Sequence, residues 1–252
     1  MKEYGSEFNK SVILISLFSI LVLAFLMCPA VAMPFQMPEV LNYDLTWTGI
    51  KAGEASLEIR ENADGIKITS TARSVKWVSV FYTVDDVVEC KLQKNGTGFT
   101  VLPVDYRLTL REGRYRKKKE VIFDHHNAKV TYIDYLEKER DEFRVPAEIR
   151  DPISSFYYVR TLDLQVGKSV YVTVFDSKNI WNVEVQVLRK ETVEVPAGRF
   201  NTIVVKPLMK SEGIFSRKGD IYIWLTDDEK RIPVKLKSKV KIGSVNAELV
   251  KY

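Results

Sequence analysis

The sequence predicts an all-β protein, mainly antiparallel: a curved sheet or incomplete β-barrel with one or two short helices packed on its concave face. Three observations predict it. Apolar and polar residues alternate along most of the chain, turn signals interrupt them at short intervals, and helical spacing is confined to two stretches. A parallel sheet would need a crossover helix between successive strands, and the sequence offers none.

The chain opens with an address. Lys2 and Lys10 precede an apolar run from Val12 to Met27, and Ala30-Val31-Ala32 supplies the small residues that signal peptidase reads. The run falls short of the roughly 20 residues of a spanning helix. Cleavage is therefore expected after Ala32, giving a periplasmic protein. Lipidation at Cys28 is the weaker alternative, because Leu26 and Met27 stand where that processing needs small residues. Residues 33–252 then form a single β-rich domain of 252 − 32 = 220 residues, long enough to bury a substantial core. The leader carries two lysines and two glutamates, so the net charge stays at +5, too mild to argue for nucleic acid. Cys90 is left without a disulfide partner, and its strand-like setting predicts a small buried hydrophobe.

Strands follow in order. Tyr43–Trp47, Ala55–Ile59 and Ile66–Thr69 alternate with a period of two. Ala63-Asp64-Gly65, Asn95-Gly96, Glu112-Gly113, Asp124–Asn127, Asp176–Asn179 and Pro196-Ala197-Gly198 mark the turns, which implies roughly ten strands. Asp151-Pro152 opens a helix, with Asp as N-cap and Pro at the first helical position; Ile153, Phe156, Tyr157 and Arg160 continue it, and Gly167 lies beyond its end. A second, weaker helix is expected from Ser74 to Phe81, and both helices should bury their apolar faces against the sheet.

Enzyme signatures are absent, so no catalytic residue, metal or cofactor is expected. The two histidines, His125 and His126, are adjacent in a turn with no ligand partner at metal spacing. Asp227-Asp228-Glu229 reads as a polar turn between strands. A basic face stands out. With Glu112-Gly113 as a two-residue turn, Arg111 faces Arg114, Thr109 faces Arg116 and Arg107 faces Lys118, an arrangement that needs solvent or an anionic partner. Lys235, Lys237, Lys239 and Lys241 form a second basic stripe, which also suits the protection of a sheet edge. Val170–Phe175 and Ile203–Val205 are apolar on both faces, so each packs on something besides water. A filled core is the default expectation, because interiors are normally close-packed.

Tyr43-Asp44-Leu45-Thr46-Trp47-Thr48-Gly49-Ile50-Lys51-Ala52-Gly53 resembles the opening motif of an exported bacterial family catalogued as domain of unknown function 3108. Asp151–Arg160 resembles that family's central helix, and Val195–Phe200 and Trp224–Val234 resemble its C-terminal strands. The family implies no catalytic residues. The Trp-Leu strand, acidic turn and Ile-Pro-Val-Lys also look like the periplasmic lipoprotein-carrier fold, in which an open half-barrel shelters acyl chains around short helices. That likeness implies a carrier of hydrophobic ligands. The expected ligand wall is Trp47, Trp77, Phe81, Phe156, Tyr157, Tyr171, Phe175 and Trp224, with the basic faces holding an anionic headgroup. The expected partners are a lipid or other apolar ligand and an anionic membrane surface or envelope protein. The rival expectation is a non-catalytic assembly protein that binds a partner in an envelope or polysaccharide-export complex through its sheet.

Overall fold

The computed structural model describes residues 36–63, 65–95, 98–208, 220–239 and 243–252. The export signal over residues 1–32, Cys28 and Lys241 lie outside them. All strands join one antiparallel 14-stranded sheet, ordered β8-β7-β6-β5-β4-β3-β2-β1-β14-β13-β12-β11-β10-β9. The strands are β1 (Glu39–Trp47), β2 (Ile50–Asn62), β3 (Gly65–Ser74), β4 (Asp85–Asn95), β5 (Gly98–Glu112), β6 (Tyr115–Asp124) and β7 (Lys129–Asp134). They continue as β8 (Glu139–Arg144), β9 (Ser169–Asp176), β10 (Asn179–Val195), β11 (Gly198–Leu208), β12 (Ile221–Thr226), β13 (Pro233–Lys239) and β14 (Ser244–Lys251). Helix α1 (Lys76–Ser79) joins β3 to β4, and α2 (Pro152–Arg160) lies between β8 and β9.

The expectation of roughly ten strands is corrected upward. Connections that the listed turn signals did not mark, such as β1–β2 and β7–β8, are also tight hairpins. The sheet curls but does not close, since β8 and β9 are its two edges. The gap is stitched rather than laddered. Arg150 makes a lone parallel bridge to β9, Lys119 on β6 pairs with Asp176 at 2.6 Å, and Lys178 reaches Glu139 and Asp141 on β8. Edge strand β8, Glu139-Arg140-Asp141-Glu142-Phe143-Arg144, is almost wholly charged, which discourages pairing with another chain.

In an up-and-down sheet every second connection lies at the same end. The β1–β2, β3–β4, β5–β6, β7–β8 and β9–β10 connections therefore share one end, called here the rim. The opposite end, the base, carries the β2–β3, β6–β7 and β12–β13 turns and the chain that leads through α2. Near the base the concave side is packed solid with Leu41, Ile59, Ile68, Cys90, Leu225 and Leu249, all essentially inaccessible. On the β9–β13 side, valines and isoleucines of β9, β10, β11 and β12 pack against Val159 and Leu164.

Helix α2 forms as the sequence dictates. The buried Asp151 carboxylate accepts from the backbone N–H groups of Ile153 and Ser154, satisfying two orphan donors, and Pro152 costs nothing at a position without an intrahelical acceptor. Its far end is anchored by Arg160, fully buried, whose two terminal nitrogens donate to Glu39 at 2.7 and 2.8 Å and which also reaches the Lys230 carbonyl.

The other expected helix is corrected. Only one turn, Lys76–Ser79, is helical, and none of its residues is buried. The β5–β6 register also differs from expectation. Gly113 and Arg114, rather than Glu112 and Gly113, make the turn, with Gly113 at a φ of 55°, the conformation that the first central position of this hairpin turn requires. Arg111 therefore faces Arg116, Thr109 faces Lys118, and Arg107 faces Glu120 instead of Lys118.

Candidate functional site

The concave side is not filled throughout. Along β2, inward side chains run Ile59, Leu57, Ala55 from base to rim; along β3, Ile68, Ser70, Ala72; along β4, Leu92, Cys90, Val88, Asp86. Register aligns Ala55 with Ala72 and Ala72 with Asp86, so three short side chains stand level across β2, β3 and β4. Large residues fill the base and small ones leave room near the rim. The result is a cavity of about 370 Å³, floored by Pro152, Ile153, Phe156 and Val159 of α2 and walled by Ala55, Ala72, Val88, Val172, Val185 and Ile223 among others. The default expectation of a filled core is thus corrected for the rim half. Sequence reasoning missed these small wall residues, although the falling side-chain size along β2 and β3 was the available signal.

The lining is overwhelmingly apolar. Its polar groups are few. The Tyr43 hydroxyl donates to the Pro233 carbonyl at 2.8 Å, and burial raises its pKa well above the ordinary tyrosine value. Tyr106 is likewise raised, first by burial and then by the neighbouring carboxylates of Asp151 and Asp176. Asp86 stands where the cavity approaches the rim. Its carboxylate accepts from the Arg111 backbone N–H at 2.9 Å, and partial desolvation raises its pKa. Lys235, which borders the space, directs its ammonium to Glu248 at 2.6 Å and over the Trp224 ring.

Of the eight aromatic residues expected in the ligand wall, the cavity brings in only Phe156. Tyr157 is buried against Glu39 and Arg160. Phe175 packs on Phe143 across the unclosed gap. Trp224 lies on the opposite face of β12, donating to Glu191 at 2.5 Å. Tyr171 faces solvent on β9, and Trp47, Trp77 and Phe81 stand exposed at the rim. The alternation on these strands was legible, but its phase was not, because several are apolar on both faces.

The basic residues divide too. Arg107 is neutralised by Asp105 and Glu120, which Tyr135 also bonds. Arg111 and Arg114 make no ion pair among the described residues; Arg116 donates to the Gly113 and Tyr115 carbonyls, and Lys118 lies over Tyr135. On β13, Lys235 is paired, Lys237 is half-buried and Lys239 exposed.

No group of metal-ligating side chains occurs among the described residues. His126 is exposed, whereas His125, expected in a solvated turn, is half-buried, with its ring nitrogens 2.7 Å from the Ala147 and Pro103 carbonyls. Cys90 is buried as expected but not merely a hydrophobe. Its thiol lies 3.2 Å from Asp151, and its pKa is pushed up by burial first and by that carboxylate second.

The profile of a protein family of unknown function, DUF3108, matches residues 42–250. The chain belongs to that family. The structure gives its motifs a physical meaning. In the opening motif, a side chain at Gly53 would place its Cβ 2.5 Å from the Arg73 carbonyl, so β2 and β3 approach too closely for any other residue. In the central motif Asp151 caps, Pro152 starts and Arg160 anchors the helix. A beta-barrel-like protein of domain of unknown function 1849 from Brucella abortus shares the fold, with a TM-score of 0.54 at 13% identity over 85% of this chain and 96% of that one. A candidate exported protein with a YmcC-like fold from Bacteroides fragilis aligns at a TM-score of 0.34 and 11% identity, covering 87% of this chain and 97% of its own. A candidate lipoprotein from Parabacteroides distasonis aligns at 0.32 and 14%, with the same coverage. No curated protein matches the chain.

Proposed function

We propose that this protein is an exported, non-catalytic protein of the cell envelope that holds an apolar or amphipathic, lipid-like ligand in the cavity above α2. The observation that carries this reading is the cavity itself: an apolar space of about 370 Å³ built by a graded series of side chains rather than by one packing defect. Native interiors leave few voids larger than a water molecule. This one equals the liquid volume of about a dozen waters at ~30 Å³ each, room for on the order of ten methylenes. Burying ten methylenes contributes about 8 kcal/mol. Against an association cost of at least about 4 kcal/mol, the net corresponds to a dissociation constant near a millimolar, which tightens as headgroup contacts are added.

The export signal supports the compartment, and the scarcity of titratable groups in the lining supports a binding role over a catalytic one. An assembly role through strand addition gains little from β8, whose charges guard the edge. The test is a titration with a fluorescent fatty acid analogue. Saturable binding near one per chain supports the proposal, and failure of any apolar probe to bind sinks it.

A further inference from the structure

The exposed apolar side chains are not scattered. Among the described residues most of the large ones sit at the rim end, on its connections or on the strand ends beside them. The densest group is Trp77-Val78-Ser79-Val80-Phe81-Tyr82 in the β3–β4 connection, where Val80 is 76% and Phe81 86% exposed, beside Trp47 and Ile50 of the neighbouring β1–β2 turn. Isolated exposed hydrophobics are ordinary, but a contiguous patch marks a contact surface.

This prong is built, not slack. The Ser74 and Ser79 hydroxyls bond at 2.7 Å, Thr83 donates to the Ser79 carbonyl, and the Trp77 indole N–H donates to the Lys51 carbonyl. The Tyr82 ring lies against Gly113, where an added Cβ would come within 2.6 Å of it. The fold thus fixes Val80 and Phe81 in water, at the end toward which the cavity wall of Ala55, Ala72, Asp86 and Leu110 extends. Cations flank the prong. Lys76 precedes it, and Arg111 and Arg114 stand on the adjoining hairpin, none ion-paired among the described residues. Amphipathic Trp and Tyr, exposed aliphatics and unpaired cations on one rigid edge match the interfacial layer of an anionic bilayer.

We propose that the rim is a membrane-docking surface. Val80, Phe81, Trp77 and Trp47 enter the headgroup layer, Lys76, Arg111 and Arg114 hold anionic headgroups, and the ligand passes between bilayer and cavity without crossing water. The exchange step rests on the reading of the cavity as a lipid-type site; the docking does not.

The test is flotation of the protein with vesicles of phosphatidylethanolamine and phosphatidylglycerol, with the fluorescent fatty acid titration run in parallel without vesicles. V80S/F81S, at two largely exposed positions, should weaken vesicle partition by about tenfold or more while leaving probe binding intact. R111Q/R114Q should lose about fivefold per charge at low salt, and the difference should vanish at high salt. Probe binding without flotation of the wild type would overturn the docking and leave the ligand reading standing. Equal flotation of V80S/F81S and wild type would overturn it as well. So would a shift from dimer to monomer in that variant with no change in flotation, since the patch would then join two copies of the chain. Flotation without probe binding would support docking and remove the exchange step.

Discussion

Placing a ring where the wall is thinnest should abolish ligand binding without harming the fold. Ala72 is the position, because it faces the cavity between Ala55 and Asp86 and is only half-buried. In Ala72→Phe the benzyl group takes the room of roughly five methylenes, about half the space available. An acyl ligand then loses about 4 kcal/mol of apolar burial, or about a thousandfold in affinity. The folded state should tolerate the ring, since the ring enters existing space instead of displacing packed neighbours. Stability should stay within about 1 kcal/mol of wild type or rise. The assay pairs a titration with a fluorescent fatty acid and a thermal melt of the same samples. Unchanged affinity would show that the ligand does not enter this space. A fall of several kcal/mol in stability would show that the space is closed in solution, and either result refutes the reasoning.

Three further outcomes follow from the buried polar groups. The folded-state pKa of Asp86 is raised by desolvation, so the protonated form is favoured by folding and stability falls as pH rises from the ordinary carboxyl range through the raised value. Asp86→Asn should flatten that fall in melts between pH 4 and 7 and should strengthen binding of carboxylate amphiphiles, which the ionised group repels. Replacing Arg160 with Met leaves the buried Glu39 carboxylate without its bidentate partner, which should cost about 3–5 kcal/mol. That is roughly 6–20 °C in Tm, read by calorimetry, and a loss below 1 kcal/mol would contradict the anchoring role. Cys90 should resist thiol reagents in the native protein and react only as the chain unfolds in denaturant, because burial and Asp151 both disfavour the thiolate.

Much of the architecture was legible because each local signal had one physical meaning. Alternation declared strands with one buried face, and Asp151-Pro152 followed by apolar residues at helical spacing announced a helix. Arg160, spaced to share that helix, gave no hint of Glu39, which lies 121 residues away in the chain and meets it only through the fold. The register of β5 and β6 was misplaced because Gly113 can open a turn as well as close one. The candidate site was harder to see. Large aromatics attract attention as ligand walls, yet Trp47, Trp77 and Phe81 are at the rim, and Phe175 and Trp224 serve packing elsewhere. What forms the cavity is the smallness of Ala55, Ser70 and Ala72. A missing side chain acts only in relation to its cross-strand neighbours, and those neighbours are set by register.

The most direct test of the central claim is native mass spectrometry of the protein purified from a cell envelope, compared with Ala72→Phe, followed by organic extraction. The account predicts a discrete lipid adduct on the wild type and a bare mass for the variant. An adduct of equal occupancy on both proteins would place the ligand elsewhere, and a bare wild type that also binds no added lipid would contradict the account.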